Sequence, residues 1–567
     1  MNPTKFTIAC ILFAFCAING RAQVSLDWAR SSIGGGNSQI GVQKMKTDRS
    51  GNICTYGYFS GSILLDSANQ NGQISTSGDY DYDIFFCRWD STGNAIHTFT
   101  LAGSANDTPT DFDIDRDGNY WLGGSFFGVI DLDPGPEECL LTSAGNTDLF
   151  LAKYSPDGML LWAGQFGSPG YESGGQIATD SSGKVYFGGS FDMALDLDPG
   201  PGIFEVDPDG YGAFICTLDC DGNFLEAGLF EGSGYIHLQV LDTDAGGNLW
   251  CGGSHTGTAD FDPGEGVFLL GSPDYSYCYI VKSDPQGNFE TAFGYGGVED
   301  ISLENMVIDS RGYILTTGYF RDNADFDPGP GEYILNSMGL NDGYVLSLDP
   351  AGMLNRAVSI SGESMESGKD IAVDEYDNVY VTGYFYGSLD ADPGEGIYTM
   401  ESAGDTDGFM LKLDMEGSFV WAKHLSSTSG ISGNCLILND DGSIIESGTF
   451  FSLADFDPAE PISIMQSTGW YDIFIRKLEH DLSVHVPAVK PLSSLKIWPN
   501  PGKGIFFAET TIPSVCRIYD MNGRQVFQSQ LAAGINRINL SNLQPGVYAV
   551  QAISPEEVHV NKIQIRH

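Results

Sequence analysis

The chain has 567 residues, 42% hydrophobic and 12% aromatic, which is enough for packed cores and excludes wholesale disorder. Lys and Arg number 27 against 75 Asp and Glu, a net charge of −48, which excludes an unaided nucleic-acid binder and disfavours an anionic membrane surface. The 73 Gly and 25 Pro follow no Gly-x-y period, so the chain is not collagen-like and suits many turns.

Residues 1–22 read as a secretory signal: Lys5 gives a positive start, an apolar run follows from Phe6 to Ile18, and Gly20 and Ala22 place cleavage before Gln23. That run is too short for a transmembrane span, and no later stretch is long and apolar enough for one. Of the 11 Cys, nine lie beyond residue 22, an odd number with no Cys-x-x-Cys pair, and they read as buried free thiols. The eight His form no cluster with Cys at zinc-ligand spacing.

A repeat organises the next 450 or so residues. Asp-x-Asp-Pro begins at Asp131, Asp196, Asp260, Asp325, Asp390 and Asp455, in steps of 64 or 65 residues, and Leu64 and Asp66 mark a degenerate earlier copy. Each unit carries an Asp-x-x-Gly turn such as Asp48 with Gly51, a strand-like run, the Asp-x-Asp-Pro loop, a third run, a second such turn and a fourth run. Asp at the first turn position accepts the N–H two residues on, and Gly at the fourth takes positive φ, a tight link for antiparallel strands. Four short strands per unit, seven units and no 3.6-residue period predict a seven-bladed β-propeller over residues 23–483. The last unit lacks a fourth run, and Leu26, Asp27, Trp28 and Ala29 resemble the fourth runs around Trp162 and Trp421, so residues 24–33 are expected to complete blade seven.

The units resemble bacterial β-propeller repeats related to NHL repeats, on the pattern carried by Gly118, Asn119, Tyr120, Gly123 and Phe126 and by Asp148, Phe150 and Lys153. Blade three departs from it, with Thr217 in place of the Lys. The resemblance implies the fold and no activity.

Residues 484–491 form a short linker, and residues 492–567 carry seven Lys or Arg against four Asp or Glu, a reversal of charge that marks a separate module. Seven short strand-like runs predict a small β-sandwich. Trp498, Pro499, Asn500, Pro501 and Gly504, then Asp520 and Gly523, then Gly546 and Tyr548, resemble the C-terminal sorting domain of type IX secretion cargo in Bacteroidota. The resemblance implies export through that machinery to the medium or the cell surface.

The twelve carboxylates Asp131, Asp133, Asp196, Asp198, Asp260, Asp262, Asp325, Asp327, Asp390, Asp392, Asp455 and Asp457 are calcium candidates, which blade symmetry would place on one face. The alternative, a loop in which Asp caps nearby N–H groups, explains the repetition better. Asp113, Asp115, Asp117 and Gly118 resemble the start of an EF-hand loop, but Gly124 stands where its terminal Glu belongs. No nucleophile elbow, His-Glu-x-x-His or phosphate loop is present. The clearest symmetry break is His255, where other blades have Phe59, Phe126, Phe191, Phe320, Phe385 and Phe450; Arg321 and Arg356 are further exceptions. The expectation is a monomeric, non-catalytic module that binds an extracellular protein or glycan and requires no cofactor. A glycan-active hydrolase or lyase and a structural envelope component are the alternatives.

Overall fold

A computed structural model describes residues 24–66, 71–76, 81–208, 210–439, 441–457, 463–480, 495–498, 503–510, 514–519, 525–553 and 558–565. The signal segment, the linker and sorting-motif residues Pro499, Asn500, Pro501, Asp520 and Gly523 lie outside them. Contacts divide the chain into a unit spanning Arg21–Leu482 and a second holding Ser483–His567.

The first unit is a ring of seven four-stranded antiparallel blades. Blade one consists of Gln39–Thr47, Ile53–Ser60, Asp83–Trp89 and Ala95–Gly103, from the inner strand outward. Its first turn shows why the strands reverse there. The Gly51 N–H donates to the Asp48 carbonyl at 2.9 Å, and Asp48 Oδ1 accepts the N–H groups of Ser50 and Asn52 at 2.8 and 2.9 Å. Gly51 sits at φ +78°, where a Cβ is disfavoured. In blade six Asp377 holds the equivalent position at φ +59°, a conformation that Asp tolerates better than most residues.

Blade seven takes three strands from its own segment, Gly430–Leu438, Ile444–Phe451 and Asp472–His480. Its outer strand is Val24–Ser31, antiparallel to the third, with Val24 opposite His480 and Ser31 opposite Phe474. Trp28 differs from the expected match to Trp421. It is half-buried and lies on the Gly93 turn of blade one, as Trp162 lies on the Gly222 turn of blade three, whereas Trp421 is 4% exposed.

The cores lie between blades. Ile40, Val42, Ile63 and Phe85 of blade one pack with Cys435, Ile445, Ile473 and Ile475 of blade seven, and similar clusters fill the other seams. Each blade thus hides the apolar face of its neighbour, which a single small sheet would expose. The described cysteines are free thiols, and most are buried in these cores.

Each Asp-x-Asp-Pro segment opens a two-stranded arm that reaches across a seam. Asp131 pairs opposite Ala102, Asp260 opposite Glu231, Asp325 opposite Gly296, Asp390 opposite Ser361 and Asp455 opposite Ser426, each on the outer strand of the preceding blade. Ile33 opposite Leu64 repeats the clasp between blades seven and one. The residue between the two Asp is the plug: Leu132, Leu197, Phe261, Phe326 and Phe456 are fully buried, and Ala391 is 1% exposed.

The second unit holds two sheets. One contains Leu495–Trp498, Ile505–Thr510 and Gly534–Asn539; the other contains Gln525–Leu531, Ser514–Tyr519, Gly546–Ile553 and Val558–Ile565. Phe506, Ile518, Ile538, Tyr548 and Val550 are among the residues of their shared core. Gly504 at φ +83° accepts the Leu540 N–H, and the Tyr548 hydroxyl donates to the Gln544 carbonyl at 2.7 Å, so these two motif residues shape the sandwich.

Candidate binding face

The inner strand of every blade carries a β-bulge at the same height. The residues skipped by the pairing are Gln43, Thr110, Gly175, Gln239, Glu304, Lys369 and Asn434. A bulge re-aims its side chain and recurs next to functional sites. Here Gln43, Thr110, Gln239, Glu304, Lys369 and Asn434 line a central cavity of about 210 Å³, joined by Gln176. Amide and hydroxyl groups dominate this ring; the Lys369 ammonium and the Glu304 carboxylate neutralise one another at 3.1 Å.

Below the bulges the seven-fold pattern breaks. Lys44 and Lys46 of blade one face Asp111 and Asp113 of blade two, at 3.6 and 2.5 Å. Burial alone would lower Lys46, but Asp113 and Asp111 raise it above the ordinary lysine value. Burial pushes Asp242 and Asp370 up; Lys46 and Lys44 respectively oppose the shift. Asp370 also accepts the Leu436 N–H at 2.6 Å and the Asn305 amide. The floor of the channel is therefore a closed polar network.

Around the mouth stand half-buried tyrosines, Tyr58, Tyr319 and Tyr384. The Tyr58 ring meets Tyr82 at 5.4 Å, and Lys369 lies over the Tyr384 ring at 5.7 Å. Farther out, the Tyr211 and Tyr235 ring centroids lie 4.2 Å apart, and the Tyr235 ring is nearly parallel to that of His237, 6.2 Å away. Five blades begin the third strand with a buried Asp, namely Asp83, Asp148, Asp342, Asp407 and Asp472. Several of these tie the arm back to the blade: Asp148 accepts the Ala144 N–H and Asp407 the Ala403 N–H, both at 2.9 Å. Blades three and four have Gly212 and Tyr277 at that point, and the aromatic residues gather beside them.

The carboxylates of the Asp-x-Asp-Pro arms are spread around the ring. Asp260 Oδ1 accepts the N–H groups of Asp262 and Phe268 at 3.1 and 2.7 Å, and Asp262 Oδ1 accepts that of Gly264 at 2.9 Å. Asp131, Asp196, Asp325, Asp390 and Asp455 each cap the residues two and eight positions on in the same way. Asp133, Asp198, Asp327 and Asp392 hold the following Gly. Among the described residues no group of three or more His, Cys, Asp or Glu converges as a metal-ligand set. The EF-hand likeness dissolves too, because Asp113 binds Lys46 in the channel and Asp115 meets Lys153 at 3.2 Å in a hairpin turn.

His255 is 2% exposed and stacks on Tyr277 at 5.6 Å; burial lowers its pKa to about 4, leaving a neutral imidazole in the aromatic place it inherited. Arg321 joins its blade through a backbone hydrogen bond to Asp300, and Arg356 covers the Gly417 turn. The bulge ring and the channel ion pairs escaped the motif search. Aligning the inner strands on the repeat would have exposed them, since Lys44, Asp111, Gln176, Asn305 and Asp370 occupy one repeat position.

Comparison with known proteins bears mainly on the second unit. Residues 496–566 match the model of the secretion system C-terminal sorting domain. The chain is similar to an uncharacterized WD repeat-containing protein of Acanthamoeba polyphaga mimivirus, 21% identical over 502 residues, 75% of this chain and 36% of that protein. It is also similar to the regulatory protein FlaEY of Caulobacter vibrioides, 25% identical over 376 residues, 61% of this chain and 36% of the relative. The chain thus spans 36% of the length of either curated relative. A solved structure of a protein of unknown function from Dyadobacter fermentans covers 80% of this chain and 99% of its own, at 9% identity and a TM-score of 0.35. The repeat-protein relative fits the propeller fold. The sorting domain marks a secreted or outer-surface protein that engages the type IX machinery.

Proposed function

We propose that the ring is a non-catalytic glycan-recognition module working outside the cell, with its ligand lying across the mouth of the channel. The observation that carries this reading is the distribution of exposed aromatic side chains. Tyr171, Tyr211, Tyr235, Tyr275, Trp470 and Tyr471, 39–59% exposed, all belong to connections or strand ends at the mouth. Tyr376 is exposed on the opposite, hairpin face, and Phe204 and Tyr333 are exposed on the arms, Phe204 against Phe224 beside the Gly222 turn.

Exposed aromatic groups gathered on one face mark an interaction site. A rigid ring supplies contact area at low entropic cost, and its flat face suits the C–H face of a sugar. Gln43, Gln176, Gln239 and Asn434 each offer donors and acceptors to hydroxyl groups. The net charge of −48 disfavours polyanionic glycans and points to neutral or amino sugars. Residues 1–22 would take the chain to the periplasm and the sorting domain would complete export.

A glycan array probed with the exported chain tests the proposal. Binding of neutral glycans is expected, with loss in Tyr211→Ala/Tyr235→Ala and an unchanged circular dichroism spectrum. Cleavage of a bound glycan would instead identify a hydrolase or lyase.

A further inference from the structure

Three of the seven seams bring two acidic side chains together at the mouth-side rim. The third strand of one blade and the inner strand of the next set Asp83 with Asp107, Asp148 with Glu172 and Asp342 with Glu366. The second position of each pair holds Ile in the other four blades, Ile40, Ile236, Ile301 and Ile431, each opposite the same second-strand position. The fold is content with an apolar side chain there, so a carboxylate needs another reason.

Glu172 is satisfied within its own seam by the Ser168 hydroxyl and N–H. Asp107 and Glu366 differ. They are 0% and 1% exposed; neither Asp107 oxygen has a hydrogen-bond donor among the described residues, and Glu366 is approached by the Ser364 and Gly362 N–H groups outside good hydrogen-bond geometry. An unpaired buried carboxylate costs several kcal/mol, and a second acid beside it adds repulsion. The surroundings of the two are alike. Gly103 ends the outer strand of blade one, and a Cβ there would sit 2.5 Å from Asp107 Oδ2 and 2.6 Å from the Val129 carbonyl oxygen. Gly362 ends the outer strand of blade five, and a Cβ there would crowd Glu366 Oε1 and lie 2.6 Å from the Ser388 carbonyl oxygen. At both seams glycine keeps open a place where a carboxylate and a backbone carbonyl converge.

We propose that these two seams each bind a calcium ion, through Asp83 and Asp107 between blades one and two and through Asp342 and Glu366 between blades five and six. The Val129 and Ser388 carbonyls accept the Ser104 and Glu363 N–H groups at 2.8 and 3.2 Å, and the second lone pair of each is a neutral oxygen ligand. The donor set is all oxygen, which selects a hard cation over zinc or copper. Calcium accepts carboxylate and carbonyl oxygens in irregular geometry, whereas magnesium keeps several waters that a buried seam does not house. Two carboxylates match the charge of one such ion. Burial, and then repulsion from the neighbouring Asp, disfavour a bare charge on Asp107 and on Glu366.

The test uses the exported chain, stripped with chelator and titrated calorimetrically with calcium. Two ions per chain are expected, with a rise in melting temperature. Asp107→Asn and Glu366→Gln should each leave one ion, and the double variant none. Glu172→Gln and Asp260→Asn/Asp262→Asn should keep both. The proposal is overturned if the wild-type chain binds no calcium, or if the double variant still binds two ions. The single variants keep the test decisive should the double variant fail to fold: two ions bound by either Asp107→Asn or Glu366→Gln would count against the seams.

Discussion

Removal of residues 24–33 takes the outer strand from blade seven and opens the ring. Val24 is fully buried among Tyr380, Met410, Trp421, Leu436, Ile444 and Leu478, and its loss costs about 2 kcal/mol of apolar burial. Trp28, half-buried on the Gly93 turn with its indole N–H on the Ser91 carbonyl at 3.1 Å, adds about half the value of a fully buried aromatic, roughly 1.5 kcal/mol. Asp472 stays buried and loses the Ser32 hydroxyl, a charge-assisted hydrogen bond worth about 1.5 kcal/mol. Ladder hydrogen bonds roughly offset the entropy of ordering ten residues. The expected loss is therefore about 5 kcal/mol, a large part of the marginal stability of a domain. Urea unfolding followed by circular dichroism measures it, and size-exclusion chromatography should show association through the bared edge at residues 472–480. An unchanged urea midpoint together with a monomeric profile would refute the closure argument.

In chelator the ring should be most stable near pH 4–5. Asp107, Glu366 and Glu172 are pushed up to about 9, 8 and 7, first by burial, so the stability they supply is full below their unfolded values and drains away as pH rises through those numbers. Below pH 4 the sign reverses, because hydrogen bonds hold turn carboxylates such as Asp90, down at about 2, below their unfolded values against the opposing effect of burial. Melting curves from pH 3 to 9 should show the maximum, and Asp107→Asn should flatten the alkaline side. Asp260→Ala removes the acceptor for two backbone N–H groups and should cost about 1–3 kcal/mol, equally with calcium or with chelator in the urea series. Glu446 and Arg476 form a fully buried ion pair, with Arg476 Nε donating to Glu446 Oε2 at 2.7 Å; Arg476→Met should cost about 3–5 kcal/mol and Glu446→Leu/Arg476→Met should recover most of it. Deleting residues 492–567 should leave the ring folded in the periplasm and absent from the medium, as read by immunoblotting of fractions.

The ring was legible because its signals are local and periodic. Asp48 with Gly51 and its later copies announce each hairpin, and a 65-residue step counts the blades. The pattern around Trp28 also pointed to the closing strand, since a strand retains its blade's side-chain grammar wherever the chain is cut. The second unit reads equally well: the seven short runs expected there appear as seven strands, from Leu495–Trp498 to Val558–Ile565. What stayed hidden depends on neighbours. A bulge moves one residue out of register without changing the composition of the strand, so Gln239 or Lys369 reads as ordinary. Arg476 sits beside Lys477 and looks like surface charge until Glu446 arrives from the next strand. The clasping arms were read as loops because pairing such as Asp390 with Ser361 crosses between blades. The seam acids, 24 residues apart in each pair, left a spacing signal that only the register makes meaningful.

Calorimetric titration of one array-selected neutral glycan into the full exported chain, repeated with Tyr235→Ala/Trp470→Ala and with Tyr376→Ala, locates the ligand on one face. Loss of at least tenfold in affinity is expected for the mouth-side pair, with Tyr376→Ala equal to the unmodified chain. Full affinity in the mouth-side pair, or loss confined to Tyr376→Ala, would contradict recognition at the channel mouth.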